Sequence, residues 1–283
     1  MVENRPWLTV FSHTVLILGI IVVAFPLYVT FVASTLTLDQ ILTVPMPLIP
    51  GDQLWNNYSQ VLGAGSTRGS GAPVSTMLMN SLIMALGIAI GKISISIIAS
   101  FAIVYFRFPG RNFFFWMIFV TLMLPVEVRI IPTFKVVADL GMLDSYQGLT
   151  LPLIASATAT FLFRQFFLTI PEELAEAARI DGAGPWRQML EIGLPNIGGA
   201  VAAMAVLSFL GAWNLYLWPH LILDATEHKT LSIGLKLFAT TGEQGGQWGP
   251  LMATALLAAL PVVALYLVAQ RQLISAFTTS GVR

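Results

Sequence analysis

A chain of 283 residues that is 56% hydrophobic and only 10% charged, with mean hydropathy +0.80, has too little polar surface to cover a soluble fold of its size. The class that remains is an integral membrane protein. A formal net charge of zero leaves no electrostatic footprint for nucleic acid, and the absence of cysteine excludes disulfides, thiol catalysis and cysteine-ligated metals.

A spanning helix needs about 20 mostly apolar residues. The first apolar run, 10–34, follows Arg5 as a secretory leader would. It is longer than a typical leader core and lacks a clear small-residue cleavage site, so a retained span is expected. Residues 35–76 carry Pro45, Pro47, Pro50 and a Gly63–Ser66 cluster, which predicts an extramembrane loop with little regular structure. Further spans are predicted at 77–105, 112–134, 146–169, 199–223 and 250–270, giving an all-α polytopic protein with six transmembrane helices and one membrane domain over 1–283.

With the N-terminus inside, Arg5, Arg107, Arg111, Arg164, Arg179, Arg187, Arg271 and Arg283 are internal, against Arg68, Lys135, Lys229 and Lys236 outside. That balance favours both termini in the cytoplasm, together with the segment 171–198. Gly87-x-x-x-Gly91 offers close helix packing, a partner membrane chain being one candidate for the contact. The run from Gly87 to Lys92 has three residues between its glycines where a phosphate-binding loop has four, and it lies in an apolar span, so it is not read as a nucleotide site.

Segment 171–198 is the most charged insert between apolar spans. Pro171-Glu172-Glu173 opens a helix, with carboxylates at the positive end of its dipole. Leu174, Ala177, Ala178 and Ile180 are expected to form its apolar face. Asp181-Gly182 ends it, because glycine accepts a left-handed turn. Gly184-Pro185 restarts the chain, and Trp186–Ile192 is expected as a second short helix that stops before Pro195. Two short helices on a tight turn, with small side chains and charged edges, make a surface that a partner's groove can approach closely.

Glu176-Ala177-Ala178, then Gly182, then Ile192, Leu194 and Pro195 resemble the EAA motif of binding-protein-dependent ABC importer permeases. The form Glu176–Gly184 is similar to the carbohydrate-uptake branch. Phe106–Gly110, Leu124-Pro125 and the Trp213–Pro219 run agree with it. Glu3–Trp7, Phe115–Ile118 and Leu124–Ile130 are similar in detail to E-type permease subunits of sn-glycerol-3-phosphate uptake.

The resemblance implies a type I importer fold in a bacterial inner membrane, with 35–76 periplasmic. It implies two homologous permeases enclosing one path, two cytoplasmic ATPases that carry ATP and Mg, and a periplasmic or lipid-anchored solute-binding protein. No cofactor or catalytic residue is implied in this chain. Glu176, Ala177, Ala178, Asp181, Gly182, Leu194 and Pro195 become the expected ATPase-coupling residues. The substrate it implies is sn-glycerol 3-phosphate, with glycerophosphodiesters or a neutral sugar as alternatives.

Ionisable groups inside spans are costly and so are candidate functional residues. Lys92 and Glu127 both fall roughly 20 Å from the cytoplasmic ends of their spans, which would allow an ion pair. Arg129, two residues from Glu127, points elsewhere and suits an anionic substrate, with Asn214 and Tyr216 as hydrogen-bonding neighbours. The other reading is that Lys92, Glu127 and Arg129 all form structural pairs. Trp218 reads as an interfacial belt residue, and Trp213 equally as a belt or a motif residue. The outer loop 224–249, with a flexible Gly242–Gly246 turn, is a solvated hairpin or, as the resemblance implies, reaches toward the binding protein. The three histidines lack metal-like spacing, so no metal site is expected. A secondary transporter could share six spans with Glu127 as coupling carboxylate, but it would have no use for the 171–198 segment.

Overall fold

The computed structural model describes residues 6–64, 72–121, 124–245 and 247–279, with the backbone alone at 6, 64, 126–127, 241–245 and 271–279. Every regular element among the described residues is helical. The chain forms two compact units, one of residues 1–75 with 234–260 and one of 76–233 with 261–283.

In the first unit, α1 (Pro6–Ser34) is a single apolar helix whose side chains are exposed along most of its length. A helix that is apolar all round and unburied by its own chain fits lipid or a second membrane chain. The helix carries an internal proline at Pro26, and Thr30 Oγ1 donates to the Pro26 carbonyl at 2.8 Å. The stretch after α1 is more ordered than its Pro, Gly and Ser content predicts. Thr37 and Gln40 form a reciprocal capping box at α2 (Leu38–Ile41), and α3 (Leu54–Ser59) runs into a π-helical turn, Gln60–Ala64. Buried Asn57 ties α3 back to α1 by donating to the Ser34 carbonyl at 2.8 Å. Gly51 donates to Thr35 Oγ1 at 2.8 Å, so tertiary hydrogen bonds hold this segment despite its prolines.

In the second unit, α4 (Val74–Tyr105) is an unbroken span of about 48 Å at 1.5 Å per residue, longer than the roughly 30 Å hydrocarbon core. The next three expected spans are each divided. The 112–134 span is α5 (Arg111–Val120) followed by α6 (Val126–Asp139), which restarts at Pro125 with φ −55° and ψ 142°. Proline removes the donor that a continuous helix needs and pushes the preceding residue out of helical geometry. The 146–169 span is α7 (Tyr146–Thr150), a 3-10 turn at Leu151–Leu153 and α8 (Ala157–Phe167). Ser156 begins α8 by accepting from the Ala159 N–H at 3.2 Å. The 199–223 span is α12 (Gly198–Trp213) and α13 (Leu217–Ile222), with Asn214 at the break.

Lipid tails are as apolar as leucine, so contact inside such a protein depends on close packing and hydrogen bonds more than on exclusion of water. Gly87 and Gly91 supply that contact within the chain. A Cβ on Gly91 would lie 2.5 Å from Ile154 Cγ2, and one on Gly87 would lie 3.1 Å from Thr150 Cγ2. Gly87 thus seats the end of α7, and Gly91 the connector that follows it. A second packed cluster gathers Ile97 and Phe101 of α4 with Phe163 and Phe167 of α8 and Ala200 and Met204 of α12. Phe101 and Phe167 meet edge to face at 5.7 Å.

Helix α14 (Leu231–Gly245) and helix α15 (Trp248–Thr279) complete the chain. The expected flexible turn at 242–246 is helical through Gly245, and Gly246 lies outside the described residues. By length and composition α1, α4 and α15 are candidate membrane spans. Pro185–Asn196 with α12 form a further candidate, bent by 80°.

Candidate coupling segment and translocation path

Between α8 and α12 the chain builds a compact helical hairpin. Helix α9 (Glu172–Ile180) ends where Gly182 takes φ +75°. The Gly182 N–H donates to the Arg179 carbonyl at 3.1 Å, and the Ala183 N–H donates to the Ala178 carbonyl at 2.9 Å. This is the paired closure of a Schellman turn, and it requires a left-handed residue at 182. Gln188 Nε2 donates to the Ala183 carbonyl at 2.9 Å, which locks the turn from the other arm.

The second arm starts at α10 (Pro185–Gln188), passes through a π-helical turn at Met189–Gly193 and continues as α11 (Leu194–Asn196). It does not stop before Pro195 as expected. The π turn shifts the Leu194 N–H onto the Met189 carbonyl, which accommodates a proline that has no donor. Asn196 Nδ2 then satisfies the Ile192 carbonyl at 2.8 Å.

The hairpin sits on the aromatic cluster of the second unit. Met189 and Ile197 belong to that cluster, and Leu194 packs against it. A side chain at Gly193 would meet Phe167 Cε1 at 3.1 Å. The face that α9 turns inward is Ala175 and Ala178, not the full set expected from the sequence. Leu174 is exposed, and so are Ile180 at 86% and Trp186 at 63%. Glu176, Ala177, Asp181, Gly182 and Pro195 are exposed as well. The outer surface is therefore small at its centre and ringed by large apolar side chains, and Arg187–Glu191 forms an exposed ion pair at 2.8 Å beside it.

Of the candidate path residues, Lys92 on α4 is half-buried and Arg129 on α6 is exposed. The two lie close enough for their positive charges to repel. Ion pairs among the described residues join Lys135 to Asp139, Arg187 to Glu191 and His228 to Asp144, and include neither Lys92 nor Arg129. The Glu127 side chain, the expected partner of Lys92, lies outside the described residues. Asn214 donates its amide to the Leu210 carbonyl of its own helix at 2.8 Å. Tyr216 stacks on His220 with ring centres 5.2 Å apart. Trp213 and Trp218 are not belt residues: both are buried, Trp213 stacks on Phe209, and Trp218 Nε1 donates to the Gly148 carbonyl at 3.2 Å.

A polar clip escaped the sequence reading because its members are far apart in the chain. Asp144, in the left-handed region at φ 51°, accepts from the N–H groups of Asp224 and Ala225 through Oδ1, both at 3.2 Å. His228 Nδ1 lies 3.1 Å from the same oxygen, an ion pair whenever the imidazole is protonated. Asn80 of α4 donates to the carbonyls of Glu227 and Lys229 and accepts from the Tyr146 hydroxyl at 2.6 Å. The loop 223–230 is thus fastened to the start of α4 and to the turn before α7.

Burial pushes the Asp144 carboxyl up, but the approach of His228 and the two backbone donors outweigh it and hold the group below its ordinary value. A depressed carboxyl contributes stability above its unfolded pKa of about 3.9 and loses it as pH falls through the lower folded value. Protection of 223–230 against hydrogen exchange should therefore not depend on Asp144 titration between about pH 5 and 8. Asp144→Asn keeps the left-handed residue but removes the charge, and is expected to lower that protection by about 1 kcal/mol at neutral pH. Unchanged exchange would mean the clip is not held by the carboxylate.

Residues 92–277 match the family described as binding-protein-dependent transport system inner membrane component. The chain belongs to that family. As an inner membrane component of a transport system, it is a permease subunit and not itself an enzyme. It is 54% identical over 280 residues, 99% of each chain, to the sn-glycerol-3-phosphate transport system permease protein UgpE of Escherichia coli. The UgpE protein of Shigella flexneri shows the same identity and coverage.

The fold of this inner membrane component is similar to that of a chain from a bacterial ABC transporter involved in the import of the acidic polysaccharide alginate. There the TM-score is 0.78 at 22% identity, covering 96% of this chain and 98% of that one. A second solved alginate transporter, in complex with an alginate pentasaccharide-bound periplasmic protein, gives a TM-score of 0.60 at 15% identity, covering 94% and 93%.

Proposed function

We propose that this permease forms half of the translocation path of an ATP-driven importer for sn-glycerol 3-phosphate, with glycerophosphodiesters as related cargo. The observation that carries this reading is the 54% identity to UgpE over 99% of both chains. In this reading the divided helices α5–α6, α7–α8 and α12–α13 each cross the membrane once, so that six crossings leave both termini in the cytoplasm. A second homologous permease completes the path, and a periplasmic or lipid-anchored binding protein delivers the solute.

Two ATPase subunits hold ATP and Mg and dock on the hairpin from Glu172 to Asn196. Their closure on ATP draws the hairpins together, and the aromatic cluster beneath Met189 and Ile197 passes that motion to α4, α8 and α12. Glu176, Ala177, Asp181 and Gly182 form the docked surface, buried Ala178 seats α9 beneath it, and Leu194 and Pro195 stand at its root. Arg129 and Lys92 attract the phosphate, a role supported by two neighbouring cations that share no ion pair among the described residues. Asn214 and Tyr216 stand at the break in α12–α13, where irregular backbone can line a path. A neutral sugar is the second reading, because the Glu176–Gly184 form resembles that of carbohydrate-uptake permeases.

Purification of the tagged chain from membranes in mild detergent tests the assembly. It is expected to bring down a second permease and an ATPase in stable association. Isolation as a monomer that still transports would overturn the proposal.

A further inference from the structure

We infer that the concavity between the end of α4 and the start of α5 holds the headgroup of an anionic phospholipid. It is an open hollow of about 580 Å³ lined by Arg107, Phe108, Gly110, Arg111, Asn112 and Phe113. Arg107 and Arg111 both line it, and neither belongs to an ion pair among the described residues. Gly110, at φ +79°, turns the chain sharply there, and Asn112 adds an amide. Arg164 of α8 lies over the buried Phe115 ring at 4.1 Å, on the other side of α5 from its exposed residues.

The second observation is the face of α5 that continues from the hollow. Phe113, Trp116, Met117 and Val120 recur at helical spacing, and each is at least half exposed. They form one apolar stripe running about 10 Å from the level of the hollow. A cationic hollow with an apolar stripe leading from it has the two parts of a phospholipid, a phosphodiester and an acyl chain. A soluble phosphate ester would use the arginines but has nothing to lay on the stripe. A cytoplasmic partner would meet the arginines but would not reach hydrocarbon depth. The assignment rests on α5 lying in the membrane and not on the identity of the transported solute.

A photoreactive phosphatidylglycerol in nanodiscs that contain the assembled importer tests it, with labelled peptides mapped by mass spectrometry. Labelling of residues 107–120 is expected, competed by phosphatidylglycerol but by neither phosphatidylcholine nor inorganic phosphate. Replacing both arginines by glutamine (R107Q with R111Q) should weaken labelling about 30-fold, and replacing both by lysine should restore most of it. R107Q alone should give about a five-fold loss, which keeps the test open if the double variant fails to assemble. Equal labelling of the glutamine variants would overturn the inference. Displacement of the lipid by inorganic phosphate would also overturn it, as would loss of the ATPase subunits from the variant with labelling retained.

Discussion

Gly182→Pro is expected to abolish ATP-coupled transport while the chain still inserts in the membrane. Residue 182 stands at φ +75°, where proline, fixed near −65°, cannot go. The substitution also deletes the N–H that closes onto the Arg179 carbonyl. Losing the left-handed turn and its bond costs about 3 kcal/mol or more, or roughly a hundred-fold in any docking that needs both arms in register.

Gly182→Ala separates conformation from space. A Cβ there meets nothing within 4 Å, so only the left-handed penalty of about 1–2 kcal/mol remains, and partial coupling should survive. Uptake and ATPase co-purification measured on both variants decide the matter. Normal coupling in Gly182→Pro would return the hairpin to the status of a surface loop.

Arg129→Gln is the second large effect. If Arg129 and Lys92 together attract a phosphate, removing the guanidinium should lower phosphate-ester uptake at low substrate concentration about a hundred-fold. Basal ATP hydrolysis should persist, because Arg129 lies on α6 and not on the hairpin. Arg129→Lys keeps the charge without the planar fork and should retain an intermediate rate. Equal losses in uptake and basal hydrolysis would point to a structural role. Unchanged uptake would remove Arg129 from the path.

The hairpin was legible in the sequence because its signals are local. Pro171, the paired glutamates, Gly182 and Gly184-Pro185 mark its ends, and the backbone turns where they say. The long apolar helices α1, α4 and α15 were legible for the same reason, since a run of apolar residues needs no partner to declare itself. Which face of α9 turns inward was not legible. Ala175 and Ala178 are buried, Ala175 beside Phe101, Tyr105 and Gln188, whereas Leu174 and Ile180, better apolar candidates by type, stay outside.

Divided helices were missed because hydropathy sums over Pro125, Ser156 and Asn214 without registering a break in hydrogen bonding. The clip at Asp144 joins residues about 80 positions apart, so no local pattern could disclose it. Asp144 carried one faint signal, since aspartate and asparagine accept left-handed geometry more readily than most residues. The Pro-rich stretch after α1 shows the reverse error, with local composition read as a loop of little regular structure while Asn57 and Thr35 supplied tertiary bonds.

The central claim is that this permease takes a phosphate ester inward at the expense of ATP hydrolysed by its partners. Its most direct test is uptake of labelled sn-glycerol 3-phosphate into proteoliposomes that hold the assembled complex and its binding protein. Accumulation that requires ATP and the binding protein, and that excess neutral disaccharide does not compete, is the expected result. ATP-independent uptake, or transport of the disaccharide in preference to the phosphate ester, would contradict the account.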